Sequence, residues 1–249
     1  QIVQGASTTQ SGYDLLPFLI GLIVSSIITG QLISRTGHYK WLVVGSMGML
    51  AFGLWLFTHL QADTQTDVLW AWMLIAGVGV GPSFAAFTLI VQNAVPFSRL
   101  GTATADLTLL RQIGVSVGLS VGFTVFSNNL TWDLLRTEII AAGAPPAYVP
   151  ATAPPGFNIS DQLTQVGGDP LGAFMSQIPP AAQTMFLDGF HSAFSIALGN
   201  SMWVGVAAAV VAGLTTLFLT ELPLRATHAP AAAEYARARV PGSTAPSAD

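Results

Sequence analysis

Apolar and polar residues follow one another along this chain in long blocks. Five apolar blocks are each near the roughly 20 residues that cross a hydrocarbon core. They are Leu15–Ser34, Trp41–His59, Val68–Ala94, Ala103–Val125 and Ala193–Leu219. None shows the single-residue alternation of a barrel strand. Helices satisfy every backbone group within the segment, as lipid requires. The expected fold class is therefore an all-α membrane protein, a five-span helical bundle. The intervening stretches complete the plan. Residues 1–14 read as the end of a preceding helix and an external loop, and 15–130 as spans one to four. Residues 131–188 form an external loop rich in Pro and Ala, and 189–222 hold span five. Residues 223–249 read as a disordered cytoplasmic tail. Within the long loop, short helical pieces are expected near Ile159–Val166 or Pro170–Ser176.

The placement of charge orients the bundle. Arg35 and Lys40 lie between spans one and two, Arg99 between spans three and four, and Arg225, Arg237 and Arg239 after span five. Lys and Arg accumulate in cytoplasmic loops, so these three regions face inward. The other side carries Arg136 with Asp63, Asp67, Asp133, Glu138, Asp161, Asp169 and Asp188. Composition agrees: of 249 residues, 51% are hydrophobic and only 8% charged, against about 25% charged in soluble domains. Absence of cysteine excludes a disulfide framework and a thiolate metal site. The four histidines are scattered and form no ligand set, so no metal is expected. An odd span count, an external start and no initiating Met predict further helices upstream.

Few polar residues enter the spans, and those few are the candidates for chemistry. Arg111 sits roughly 13 Å into span four at 1.5 Å per residue. An intramembrane charge faces a cavity or a partner. Arg111 is thus a cavity-lining cation, a partner for an acid on another helix, or a cap for backbone carbonyls. Gln112 follows it. Asp106 lies about 140° around the same helix and meets interfacial water or a neighbouring helix, with a proton-coupling role as the functional alternative. Asn93, beside Gln92, and Asn200 are amides suited to interhelical hydrogen bonds or to substrate contact. Gly114, Gly118 and Gly122 recur every four residues, which predicts a bare helix face and a close packing seam. Gly77, Gly79, Gly81 and Pro82 in span three suggest close packing or a hinge. Phe84, Phe87, Trp72 and Trp203 are aromatic faces available to a lipophilic cation.

Gly30-Gln31-Leu32-Ile33-Ser34-Arg35-Thr36-Gly37-His38-Tyr39-Lys40 is a helix end, a tight basic turn and a new helix. Gly37 suits the left-handed C′ position. This stretch resembles the loop motif of the major facilitator superfamily: Gly30, Gly37 and Lys40 match, and Arg35 fits the basic position. Ser34 replaces the usual acid and His38 a usual base, which argues against a full charge relay. Further on stand Val95-Pro96, Arg99, Gly101 and Ala103, then Arg111-Gln112-Ile113-Gly114 and Gly118. Together with Gln4-Gly5-Ala6-Ser7, Gly12, Leu16 and Pro17, these resemble the fourteen-span drug:proton antiporters of that superfamily, the EmrB/QacA type. The resemblance implies a C-terminal part of a major facilitator fold, comprising the last five of fourteen spans.

It further implies a secondary active transporter that exports small hydrophobic or cationic compounds from a bacterial cell by alternating access. The proton gradient would drive it, with no cofactor. Arg111, Gln112, Asp106, Asn93 and Asn200 are the expected transport pathway. Gly30, Arg35, Gly37 and Lys40 are the expected cytoplasmic gate. The expected partners are the bilayer and the upstream helices of the same protein, with no nucleic acid. The alternative is a non-transporting membrane receptor or scaffold that uses the long external loop for binding. An enzyme is disfavoured. Gly114-Val115-Ser116-Val117-Gly118 and its overlapping repeat match a nucleophile pattern, but that pattern needs a strand-to-helix turn and a nearby base.

Overall fold

A computed structural model describes residues 8–153 and 179–219. Its long elements are helices: α1 (Thr8–Asp14), α2 (Leu16–Thr36), α3 (Lys40–Phe57), α4 (Thr66–Ala94), α5 (Leu100–Asn129), α6 (Trp132–Ala141) and α7 (Pro180–Leu217). Five segments are long and apolar enough to cross a membrane: Thr9–Thr36, Lys40–Phe57, Thr66–Ala94, Phe97–Asn129 and Ala182–Leu217. The fold is an all-α, multi-pass membrane bundle.

Local chemistry sets the helix ends. Gly37 takes φ 74° and its N–H donates to the Ile33 carbonyl at 2.8 Å, so α2 stops in the left-handed cap expected of it. Pro96 forces Val95 into extended backbone, which ends α4. A single 3₁₀ turn, Phe97–Arg99, then leads straight into α5.

The helices pack in a chain of contacts whose register can be read from glycines. A Cβ on Gly21 would lie 2.6 Å from the Leu74 carbonyl oxygen; Gly77 abuts the backbone at Phe18 and Gly81 that at Leu22. From Phe18–Gly77 through Leu22–Gly81 to Gly30–Ala85 the numbers rise together, so α2 and α4 run parallel. On its other side α4 meets α3 in the opposite sense: Gly53 abuts Ala76 at 2.9 Å, and Gly79 abuts Leu50. α3 in turn lies antiparallel to α7, with Gly199 against Thr58, Gly205 against Leu54 and Gly213 against Met47. Arg35, Lys40 and Arg99 therefore share one end of the bundle, while Asp63 and Asp67 sit at the other. Beneath the Arg35–Lys40 turn is a core of Ile33, Tyr39, Val43, Met47 and Ala86.

Two expected boundaries move. Span five was expected from Ala193, but α7 begins at Pro180. At 1.5 Å per residue its 38 residues extend roughly 57 Å, far past a hydrocarbon core of about 30 Å. Hydropathy ends at the polar residues Asp188 and His191, whereas the helix ends only where Pro179 and Pro180 break it. Likewise the expected 131–188 loop contains α6. Thr131 caps it by accepting the Leu134 N–H at 3.3 Å, and Leu135 and Ile139 form its buried face. That face packs on the extended part of α7. Gly189 abuts the backbone of Ile139, and a second core gathers Leu135, Ile139, Phe186 and Phe190 with Phe126 of α5 and Leu130 just after it. Ser192 Oγ donates to Glu138 at 2.7 Å across the same contact. The expected helical pieces at Ile159–Val166 and Pro170–Ser176, and the tail 223–249, lie outside the described residues. So do Arg225, Arg237, Arg239, Asp161 and Asp169. Residues 8–14, expected in part as loop, are helical.

Candidate functional site

α5 carries three of the candidate polar residues, Asp106, Arg111 and Gln112, and touches its neighbours at two places. Near its end, Phe126 packs edge-on against Phe194 of α7, with centroids 4.9 Å apart. Phe126 is the buried residue of this 30-residue helix. In its first half, Arg111 reaches across to α4. Its Nη2 donates to the Phe84 carbonyl at 3.2 Å and to Thr88 Oγ1 at 3.4 Å. The guanidinium carbon stands 4.7 Å from the centroid of the Phe84 ring. Thr88 Oγ1 itself donates to the Phe84 carbonyl at 2.7 Å, so that oxygen collects two donors. Arg111 is half-buried and points at a helix, not outward.

These contacts are of the kind the carbonyl-capping reading of Arg111 describes. Among the described residues no carboxylate pairs with it; a backbone carbonyl, a hydroxyl and an aromatic face do. Guanidinium is the side chain suited to all three at once, being planar and rich in donors. The contact uses one of its terminal nitrogens and leaves the remaining donors free for a ligand or a further helix. Phe84 was weighed only as an aromatic face; its carbonyl and Thr88 carry no sequence signal as partners, since a backbone acceptor is invisible until helices are docked.

The other candidates do not converge on Arg111. Asn93 is half-buried near the end of α4 and has a bonding partner. Asp106, Gln112 and Asn200 are exposed in this chain. Gly114, Gly118 and Gly122 lie on the same helix as Arg111, and a Cβ at any of them would meet nothing within 4 Å. The close seam predicted there is thus unfilled among the described residues, and the filled seams are those of Gly21, Gly53, Gly77, Gly79 and Gly81. In the gate motif, Gly30 lies on the α2–α4 seam, with Ala85 4.0 Å from the position of its Cβ. Arg35 is exposed, and Lys40 opens α3 with a partner of its own. Ser120 donates to the Ser116 carbonyl of its own helix at 2.9 Å.

One buried acid escaped sequence reading. Asp14, the last residue of α1, is 7% exposed. Its Oδ1 accepts from Trp70 Nε1 of α4 at 3.1 Å and from Gln10 Nε2 at 3.2 Å. The signal available was an acid directly before the apolar run Leu15-Leu16-Pro17, at the edge of a span.

The bundle and its site define a multi-pass membrane protein whose polar groups meet between helices. Comparison with known proteins narrows this. Residues 1–119 match the sequence profile of the Major Facilitator Superfamily. The chain is 31% identical over 226 residues to an uncharacterized MFS-type transporter of Mycobacterium tuberculosis, covering 91% of this chain and 29% of that protein. It is 29% identical over 238 residues to the multidrug transporter protein MdtP of Bacillus subtilis, covering 90% and 42% respectively. A tetracycline resistance determinant of Streptomyces rimosus is 37% identical over 128 residues, half of this chain and 36% of that protein. The chain thus spans well under half the length of these relatives. Over that part of their length the chain is similar to proteins named as transporters.

Proposed function

We propose that this chain supplies the C-terminal helices of a longer secondary transporter, of the fourteen-span drug:proton antiporter type. It exports small hydrophobic or cationic compounds across a bacterial cell membrane in exchange for protons. The proton gradient is the driving force and no cofactor takes part. Two helical halves rock about a midplane cavity, and protonation biases which side is open. The basic end of the bundle, with Arg35, Lys40 and Arg99, faces the cytoplasm, and Gly30, Arg35, Gly37 and Lys40 form part of the gate there. Arg111, with Gln112, Asp106, Asn93 and Asn200 on the same and adjoining helices, contributes to the polar pathway.

The observation that carries this reading is α5 itself. It is a span-length helix held at Arg111 and at Phe126, with a bare glycine face and polar residues between and around them. Such a helix suits a boundary between halves, where one side must part from its neighbour and close again. The shares of the relatives left unmatched support a longer protein, and the names multidrug transporter and tetracycline resistance determinant among them support efflux. The test is dye efflux from everted membrane vesicles carrying the full-length protein. Accumulation driven by a proton gradient and abolished by a protonophore is expected. Absence of any gradient-dependent dye movement would sink the proposal.

A further inference from the structure

Arg111 is held on α4 with much of its chemistry unused. Its two hydrogen bonds, to the Phe84 carbonyl and to Thr88 Oγ1, both leave from Nη2. The N–H groups of Nε and Nη1 make no bond among the described residues. None of its partners carries a negative charge: they are a carbonyl, a hydroxyl and the Phe84 ring. The setting is apolar, with Leu110, Ile113 and Val115 on the neighbouring surface of α5. An ionised group inside a span is costly and is found facing a cavity or paired. Three neutral contacts position this cation and leave its charge unmatched.

The acids of the described residues do not supply the match. Asp106 is on α5 itself, about 140° around the helix from Arg111. Asp67 opens α4, roughly 26 Å from Phe84 at 1.5 Å per residue, and Asp14 is bonded to Trp70 at that same end. The acids of α6 and of the outer part of α7 lie beyond Phe126. Yet the α5 surface beside the guanidinium is open. Gly118 and Gly122 stand within about 20° of Arg111 around the helix, and a Cβ on either would meet nothing within 4 Å. A backbone can therefore come close enough for a short acidic side chain to reach the unused donors. The proposed function adds a reason for one to do so. An unmatched cation in the pathway would repel the cationic compounds it is meant to pass.

We propose that Arg111 is one half of an intramembrane ion pair, and that the other half is an Asp or Glu side chain on a helix of the longer protein outside this chain. The existence of such helices rests on the transporter reading; two of the relatives extend well beyond the 29% and 42% of their length that this chain covers. The N–H groups of Nε and Nη1 receive the carboxylate in a charge-assisted bond, while Nη2 stays on α4. The pair ties α5 to the remaining helices on one side as Phe84 and Thr88 tie it to α4 on the other, and it cancels a positive charge in the pathway.

The test is a set of double-mutant cycles on the full-length protein, read by thermal unfolding in detergent. Each Asp and Glu within the apolar spans outside this chain is changed singly to its amide, in the wild type and in Arg111→Gln. Arg111→Gln alone should lower the midpoint by a few degrees. One amide variant should lower it in the wild type but leave it unchanged or raise it in Arg111→Gln, where that acid is already unpaired. Arg111→Lys, which keeps the charge and loses the guanidinium shape, should retain part of the coupling. If Arg111→Gln does not fold, the same amide change should restore its folded yield. Additive midpoints for every acid, without rescue, would overturn the pair. So would octanoate raising the midpoint of the wild type and not of Arg111→Gln while no acid is coupled, because the donors would then serve a bound carboxylate. Efflux is not the readout: coupling without gradient-driven efflux would keep the pair and remove the transporter reading.

Discussion

α2 and α5 carry the same device and use it differently. On α2, Gly21, Ser25 and Thr29 recur every four residues, with Ile33 continuing the line, and all four are buried. α4 fills that line so closely that a Cβ on Gly21 would collide with the Leu74 carbonyl. On α5, Gly114, Gly118 and Gly122 recur at the same spacing, and nothing among the described residues lies within 4 Å of a Cβ there. Spacing of small residues therefore marks a face on which a backbone can approach. It does not say whether a partner stands there. The partner of α2 has complementary glycines, Gly77 and Gly81, on the facing line of α4. α5 is held instead by Arg111 on α4 and by Phe126 in the core it shares with α6 and α7.

The largest test of this contrast is Gly79→Leu. The site abuts the Leu50 backbone, so a side chain must push α3 from α4. Overpacking of this kind costs about 1–3 kcal/mol or more, and a marked fall in folded yield and melting temperature is expected. Arg111→Ala comes next. It removes a charge-assisted bond and a ring contact between α4 and α5, together worth about 1.5–3 kcal/mol. Gradient-driven dye efflux by the full-length protein should fall severely, with less change in folded yield than Gly79→Leu. Retained efflux would remove Arg111 from the pathway. Gly37→Ala forces a Cβ into the left-handed cap of α2 at about 1–2 kcal/mol, read as a small drop in thermal midpoint. The smallest effect is expected for Gly118→Leu, whose side chain has open space in this chain; its thermal stability should change by about 0.5 kcal/mol or less. The comparison sharpens if that same variant abolishes efflux by the full-length protein, because the bare face then has a moving partner. It breaks if Gly118→Leu destabilises the chain as Gly79→Leu does.

Much of the bundle was legible from the sequence. Helix type and the number of spans follow from apolar length alone, and the left-handed Gly37 cap follows from turn chemistry. Val95-Pro96 likewise announced the end of α4. The misplacements share one cause. Hydropathy marks where lipid begins, whereas a helix continues until its backbone is interrupted, so α7 runs back to Pro180. α6 was hidden because its apolar face covers another helix outside the apolar block and makes no long hydrophobic run. At the candidate site, Arg111 was legible as a rare charge in an apolar span. Its partners at Phe84 and Thr88, and the whole arrangement around Asp14, Gln10 and Trp70, were not.

By itself the sequence determined the solvent of this protein, the helical class, the polarity of charge along it and the residues scarce enough to matter. These are one-dimensional properties: each depends on composition, on spacing or on a neighbour in the chain. Only the tertiary structure decided which glycine line meets a helix, which oxygen receives Arg111 and which acid is withdrawn from its surroundings. Those outcomes depend on approach between segments distant in sequence. There the deciding quantities are tenths of an ångström between backbones and the supply of donors for a buried charge.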